Sequence, residues 1–266
     1  MPLAVCATPI GNLDDVTLRV LDELRAADVV LCEDTRHTRV LLDRHGISAR
    51  LLSYHEHNEA KRTAELLPRL EAGERVALVS DAGLPGISDP GARLVGAALA
   101  AGVPVTVLPG PSAVETALVA SGLAAERYQF VGFLPRGAGA LRALWDELAR
   151  WPYPVVAFES PRRLPATLRS LAEADAERIV AVCRELTKKF EEVVRGPAAV
   201  VATRFAEAPK GEITLVLGPA SVRDDAHDAV ASVAELVAAG VPRRQAADVV
   251  ARLTGASRNE LYRRTL

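Results

Sequence analysis

The chain is poor in the residues that mark secreted, metal-knuckle and membrane-spanning proteins. It carries three cysteines in 266 residues, an odd number set far apart at Cys6, Cys32 and Cys183, which matches neither a disulfide framework nor a metal knuckle. Each lies in a short apolar run, where a free thiol behaves as a small hydrophobe, so all three are expected to be buried and reduced. Aromatic residues make up only 4%, leaving Ala, Val and Leu to fill the interior. Charge of one sign is missing too. A balance of 32 Lys and Arg against 34 Asp and Glu leaves −2, which excludes a globally basic nucleic-acid binder and requires any RNA contact to come from a local patch. The longest apolar stretch, Leu94 to Leu108, is broken at Gly102-Val103-Pro104, and MPLAVCATPIGN at the N-terminus has no basic segment. No membrane partner and no secretion signal are expected, and the protein is read as cytoplasmic.

Short apolar runs alternate with helical patterns along most of the chain, as in parallel sheets covered by helices. Candidate strands are Leu3 to Ala7, Val29 to Cys32, Val76 to Val79, Val105 to Leu108, Gln129 to Phe133, Val155 to Phe158, Ile179 to Cys183 and Ile213 to Leu217. Their continuous apolar character suits strands buried on both faces. Helical spacing appears at Val16, Val20, Leu21 and Leu24, at Leu66, Leu67 and Leu70, and at Leu94, Val95, Ala98 and Leu99. The fold class is therefore α/β, with mainly parallel sheets. Pro109-Gly110-Pro111 is the strongest mid-chain break, dividing an N-terminal α/β domain, 1–111, from a second, 112–224. From residue 225 the strands stop, and 225–266 reads as a helical appendage. Between Gly240 and Leu266 it holds six arginines, Arg243 and Arg244 among them, against Asp248 and Glu260, a local excess of four positive charges.

Chemistry is expected in the loops that follow strands, because in an open α/β sheet the carboxyl ends of the strands face the ligand crevice. Four such loops are rich in turn residues: Thr8 to Asn12, Asp81 to Gly91, Pro109 to Ala113 and Gly132 to Arg136. The segment SDAGLPGISDPG, Ser80 to Gly91, has three glycines, two prolines and two aspartates, more than a simple connection requires. Asp89 as N-cap and Pro90 at the first helical position would account for its end. Neither GxxxxGK[ST] nor a GxGxxG following a strand is present, which disfavours P-loop and standard dinucleotide folds. His55-Glu56-His57 lacks the i, i+4 spacing of a zinc helix, so no metal is expected. Asp34 is placed to cap a helix that presents Arg36, His37 and Arg39 near its start.

Taken together and in order, ATPIGNLDDVTLR (Ala7 to Arg19), LCEDTRHTRVLL (Leu31 to Leu42), SYHEHNE (Ser53 to Glu59), VSDAGLPGISDPG (Val79 to Gly91), LPGPSA (Leu108 to Ala113), GFLPR (Gly132 to Arg136), FESPRRL (Phe158 to Leu164) and RELTKKFEE (Arg184 to Glu192) resemble the bacterial ribosomal RNA small-subunit methyltransferase I family, within the tetrapyrrole methylase superfamily. The resemblance extends into the tail, LTGASRNELYRRTL. It implies two α/β domains with S-adenosyl-L-methionine in the cleft between them, a dimer, and methylation of a cytidine ribose 2′-hydroxyl in the decoding region of 16S rRNA on the small ribosomal subunit. Position by position it implies cofactor contacts at Ile10, Gly11, Asp81, Leu84, Ser112, Ala113 and Leu186. Two positions depart from the family pattern: Leu84 stands where Thr is usual, and Arg162 where His is usual. Glu159, Glu185 and Lys188 in the second-domain motifs are the candidate proton acceptors or relays. Arg36, Arg39, Arg136, Arg162 and Arg163, with Arg243 and Arg244 of the tail, are the candidate RNA contacts, made to phosphates. Rival readings are a corrinoid-pathway methyltransferase, a protein methyltransferase like diphthine synthase, and a non-enzymatic RNA-binding module.

Overall fold

A computed structural model describes residues 2–220 and 225–265. Met1, Leu266 and residues 221–224, against which the expected boundary after 224 falls, lie outside the described residues. Contacts divide the chain into two compact units, Met1–Pro219 and Ala220–Leu266.

The first unit contains two five-stranded sheets. In the first, β1 (Leu3–Cys6), β2 (Val29–Cys32), β3 (Leu51–Ser53), β4 (Val76–Leu78) and β5 (Val105–Leu108) run parallel in the order β3-β2-β4-β1-β5. Successive side chains leave a strand on opposite faces, and here both faces are covered. Leu3, Val5, Val29 and Leu31 pack with Leu66 and Leu70 of α3 (Glu59–Glu71) and Leu94 of α4 (Ala92–Ala100). Ala4, Cys6, Val30 and Cys32 pack with Val20 and Leu24 of α1 (Leu18–Ala26) and Leu42 of α2 (Thr35–Arg44). This double burial is why the strands read as unbroken apolar runs.

The second sheet, β6 (Gln129–Phe133), β7 (Val155–Glu159), β8 (Ile179–Arg184), β9 (Glu192–Pro197) and β10 (Ile213–Leu217), has the order β6-β7-β10-β8-β9. One face packs on α6 (Ala138–Leu148), α7 (Leu164–Ala174) and α8 (Ala198–Arg204). The other packs on α5 (Ala113–Ala120) together with Ile10 and Leu186. Only β6 and β7 are parallel, and the pairs of β10 with β7, β10 with β8, and β8 with β9 are antiparallel. The α/β class stands, but the expectation of mainly parallel strands holds for the first sheet and is corrected for the second. Burial on both faces produces the same apolar run in either direction, so composition carried no sign of the reversal. Two strands were also missed. β3 is only three residues long, and β9 is a half-exposed edge reading EVVRGP.

All three cysteines are buried and free, and burial pushes the thiols of Cys6 and Cys183 up to about 12. The second unit comprises α9 (Asp225–Ala238), α10 (Arg243–Thr254) and α11 (Arg258–Arg264), packed through Ala229, Val233, Ala246, Ala247, Val250 and Leu261. Among the described residues no helix is long and apolar enough to cross a membrane.

Candidate active site

Parallel pairing brings the carboxyl ends of β1, β2, β4 and β5 to one edge of the first sheet, and the loops that leave them are bound to one another. Thr8 and Gly83 exchange backbone hydrogen bonds of 2.8 and 3.0 Å, and Ala7 N–H donates to the Leu108 carbonyl at 3.1 Å. Thr8 Oγ1 donates to the Ser80 carbonyl at 3.0 Å. The backbone of Gly83 is left-handed at φ 75°, a conformation glycine adopts without the Cβ penalty. The loop after β4 does not end as its sequence suggested. Helix α4 begins at Ala92 with Gly91 at its N-cap, so Asp89 does not cap it, and the Ser80 hydroxyl donates to the Ala82 and Gly83 carbonyls at 3.1 and 3.3 Å. Asp34, by contrast, caps α2 as expected, accepting from Arg36 N–H at 2.8 Å.

Asp89 belongs to a cluster with Glu33 and Asp81. Asp81 Oδ1 accepts the Asp34 N–H at 3.2 Å, while Glu33 Oε1 is buried with no partner. Burial, followed by the charges of Asp89 and Asp81, raises the Glu33 carboxyl to about 7. Burial and then Asp81 raise Asp89 to about 6. Glu33 directly follows β2 and Asp89 lies in the loop between β4 and α4, and perturbed carboxyls grouped in this way make a candidate functional site. Sequence reading singled out Asp81 and missed Glu33 as a site residue. Its position immediately after the β2 run was the available signal.

The connection from β8 to β9 closes on the first loop. A Cβ on Gly11 would lie 2.8 Å from the Leu186 carbonyl oxygen and 2.7 Å from Thr187 Oγ1, so only glycine permits this approach. Asn12 N–H donates to Thr187 Oγ1 at 2.9 Å, and Leu186 packs with Ile10 in a buried apolar cluster that Ala82 and Ala113 border. The connection is strained: Glu185 and Thr187 hold φ of 52° and 65°, costly for residues with a Cβ. Glu185 Oε1 accepts from Glu212 N–H at 3.0 Å and Lys188 Nζ at 3.1 Å, and Lys188 Nζ also reaches Glu212 Oε2 at 3.0 Å. The Glu212 N–H, aided by Lys188, holds the Glu185 carboxyl below its ordinary range. Burial alone would lower Lys188, but its bonds to Glu212 and Glu185 raise it overall. A shallow groove lined by Gly11 to Asp14, Arg44 and Thr187 to Lys189 opens along the same junction.

Ile10, Gly11, Ala113 and Leu186 are thus brought together. Asp81 joins the carboxylates, Leu84 packs against the core of the first sheet, and the Ser112 hydroxyl donates to Glu115. Glu185 and Lys188 sit at the junction. Glu159 does not: it is buried, and its oxygens accept from Ser160 N–H at 2.6 Å, Arg163 Nη2 at 2.9 Å and the Thr167 hydroxyl. The expectation that Glu159 handles a proton is corrected, since no part of its carboxylate is left to meet a substrate. Arg163 is likewise committed, donating also to the Leu134 carbonyl at 2.7 Å. Arg36 folds back on Asp34 at 2.8 Å. Arg39, Arg136, Arg162 and Arg244 are exposed, and Arg243 Nε is buried without a partner. Among the described residues no three His, Cys, Asp or Glu side chains gather as a metal ion would require.

Comparison with solved structures places this architecture. The methyltransferase CobJ superposes with a TM-score of 0.64 at 20% identity, covering 83% of this chain and 95% of that one. Diphthine synthase gives 0.60 at 14% identity, with 83% and 91% covered. Uroporphyrin-III C-methyltransferase from Thermus thermophilus complexed with S-adenyl homocysteine gives 0.55 at 22%, with 81% and 96% covered. The family model Tetrapyrrole (Corrin/Porphyrin) Methylases matches residues 2–202, so two sheets with a loop-built cradle define a tetrapyrrole methylase, an S-adenosylmethionine-dependent methyltransferase class. A second model, the RsmI C-terminal HTH domain, matches residues 224–266. Proteins named Ribosomal RNA small subunit methyltransferase I are similar over the whole length: 47% identical in Mesorhizobium japonicum, covering 99% of this chain and 91% of the relative, and 46% in Mycobacterium bovis, covering 98% and 93%. The chain belongs to the ribosomal RNA small subunit methyltransferase I family.

Proposed function

We propose that this chain transfers the methyl group of S-adenosylmethionine to the ribose 2′-hydroxyl of a cytidine in the decoding region of 16S rRNA, with the assembled small subunit as substrate, in the cytoplasm and as a homodimer. The observation that carries the reading is the unpartnered, buried Glu33 Oε1 beside Asp81 and Asp89, next to loops whose glycines bring backbone to backbone. A cofactor with an ammonium, a sulfonium and ribose hydroxyls fits such acceptors, and its adenine fits the apolar surface of Ile10, Ala113 and Leu186. When bound, the cofactor supplies an electrophilic methyl group.

The residues of this chain then align and shield. Gly11, locked against Leu186 and Thr187, holds the first loop to the second sheet, which would keep the groups that position cofactor and acceptor in a fixed relation. The 2′-hydroxyl becomes acidic as its oxygen gains the methyl group, so a weak base suffices to take the proton. Glu185, kept ionised by the Glu212 N–H and Lys188, is that base, and Lys188 holds it in position. The exposed Arg39, Arg136 and Arg162, with Arg36 and the tail arginines Arg243 and Arg244, meet RNA phosphates. Arg163 stays with Glu159.

The test is transfer of labelled methyl from S-adenosylmethionine to small subunits purified from a strain lacking this protein, with the nucleoside identified by mass spectrometry. Label in 2′-O-methylcytidine is the expected result. No label from a preparation that still binds the cofactor would reject the RNA acceptor and favour a small-molecule or protein one. Sedimentation of the purified protein tests the dimer.

A further inference from the structure

Strand β6 contains a departure from regular pairing that places one aromatic ring where core packing does not call for it. Phe130 pairs with Val156 and Phe133 with Phe158, three steps on β6 against two on β7, with Gly132 between them at φ 67°. Residues three apart on a regular strand face opposite sides of the sheet. The extra residue cancels that alternation. Phe130 and Phe133 therefore both meet the ring of Phe158, edge to face, with centroids 5.0 and 5.4 Å apart. A regular strand would have turned Phe133 toward the face covered by α6 and α7. The bulge instead leaves it 64% exposed on the other face.

That other face is the one toward the active-site loops. Phe130 and Phe158 border the cluster of Ile10, Leu186 and Val156, which Ala82 and Ala113 also border. A Cβ on Gly132 would lie 3.8 Å from Ser88 Oγ in the loop after β4, and Ser88 is itself strained at φ 64°. Beyond Phe133 the chain is pinned: Leu134 N–H donates to the Phe158 carbonyl at 3.1 Å, and the Leu134 carbonyl accepts from Arg163 Nη2. Exposed Arg136 and Arg162 follow the carboxyl ends of the adjacent parallel strands β6 and β7. Bulges beside active sites commonly re-aim a side chain, and a rigid exposed ring flanked by arginines is suited to a nucleobase with phosphates on either side.

We propose that Phe133 is a stacking platform for the base of an unstacked nucleotide in the substrate RNA, held by Phe158 and Phe130 from below, with Arg136 and Arg162 taking the neighbouring phosphates. A nucleotide drawn out of its stack loses contact with its neighbours, and stacking on Phe133 offsets that loss. Phe133 is a substrate-positioning residue and touches neither the methyl group nor the proton. The proposal rests on the RNA reading above.

The test compares wild type, Phe133→Ala and Phe133→Trp in methyl transfer to small subunits, alongside cofactor binding by calorimetry and sedimentation. Phe133→Ala is expected to lower kcat/KM by about 5- to 100-fold, mostly through KM, with Phe133→Trp within about threefold of wild type. Cofactor affinity and oligomeric state should not change. An active wild type matched by Phe133→Ala overturns the platform alone. A loss that follows dissociation of the oligomer, or loss of cofactor binding, also overturns it, since the ring would then serve self-association or the fold. A wild type that transfers nothing to the subunits removes the RNA reading and the platform with it.

Discussion

Glu33 and Glu159 hold matching places in the two sheets, one just past the end of β2 and the other at the end of β7, and their surroundings are opposite. Glu159 is saturated by Ser160, Arg163 and Thr167, all within eight residues of it. Glu33 has a buried oxygen with no partner and two more carboxyls nearby. A satisfied buried carboxylate fastens a fold, whereas an unsatisfied one costs stability and is kept where a ligand completes it. On the proposed reading the first sheet supplies the binding capacity and the second much of the frame, with the β8–β9 connection as the part of the frame that closes on the first loop.

Removing the saturated carboxylate should have the largest effect on the fold. Glu159→Ala strands the partly buried Arg163 and frees the Leu134 segment, and is expected to destabilise by about 3 kcal/mol in denaturant unfolding. Unchanged stability with abolished transfer would reverse the assignment and return Glu159 to the chemistry. At the point where the frame meets the site, Glu185→Ala should lower kcat by about 10- to 100-fold while cofactor affinity changes little, and an unchanged rate on small subunits would reject its role as base.

The smallest effect should come from the unsatisfied carboxyl. Glu33 titrates at about 7 in the fold against its ordinary 4.5, so the folded protein holds a proton that the unfolded chain releases. Stability is therefore greatest below that ordinary value and falls as pH rises to about 7. Glu33→Gln should remove part of this slope in cofactor-free protein, leaving the variant about 1 kcal/mol more stable at about pH 8 after allowance for solvent screening, while weakening cofactor binding. Thermal melts that keep the same pH slope in the variant would break the contrast between the two glutamates. Deleting residues 225–266 is expected to lower use of small subunits while sparing cofactor affinity. Equal loss of both would give the tail a folding role.

How much could be read from the residues differed between the same two regions. In the first sheet, strand, loop and helix follow one another in the chain, and the glycine- and proline-rich loops after β1, β4 and β5 stand out by composition alone. In the second, the apolar runs of β7, β8 and β10 marked strands without marking direction, and Glu159 was a candidate because it falls in a second-domain motif of the family that the chain resembles. The cap expected at Asp89 fitted a local pattern, but the chain enters α4 later, at Ala92, with Gly91 at the N-cap.

The sequence by itself determined the α/β class, the buried cysteines, the helical basic tail and the glycine- and proline-rich loops that follow strands of the first sheet, because each depends on composition or on spacing within a few residues. Tertiary structure alone decided which carboxylates are saturated, how the Thr187 hydroxyl meets Asn12 across 175 residues of chain, and which side of β6 Phe133 faces. These are contacts between residues remote in the chain, and their energies depend on burial and register, for which a local stretch of sequence has no signature.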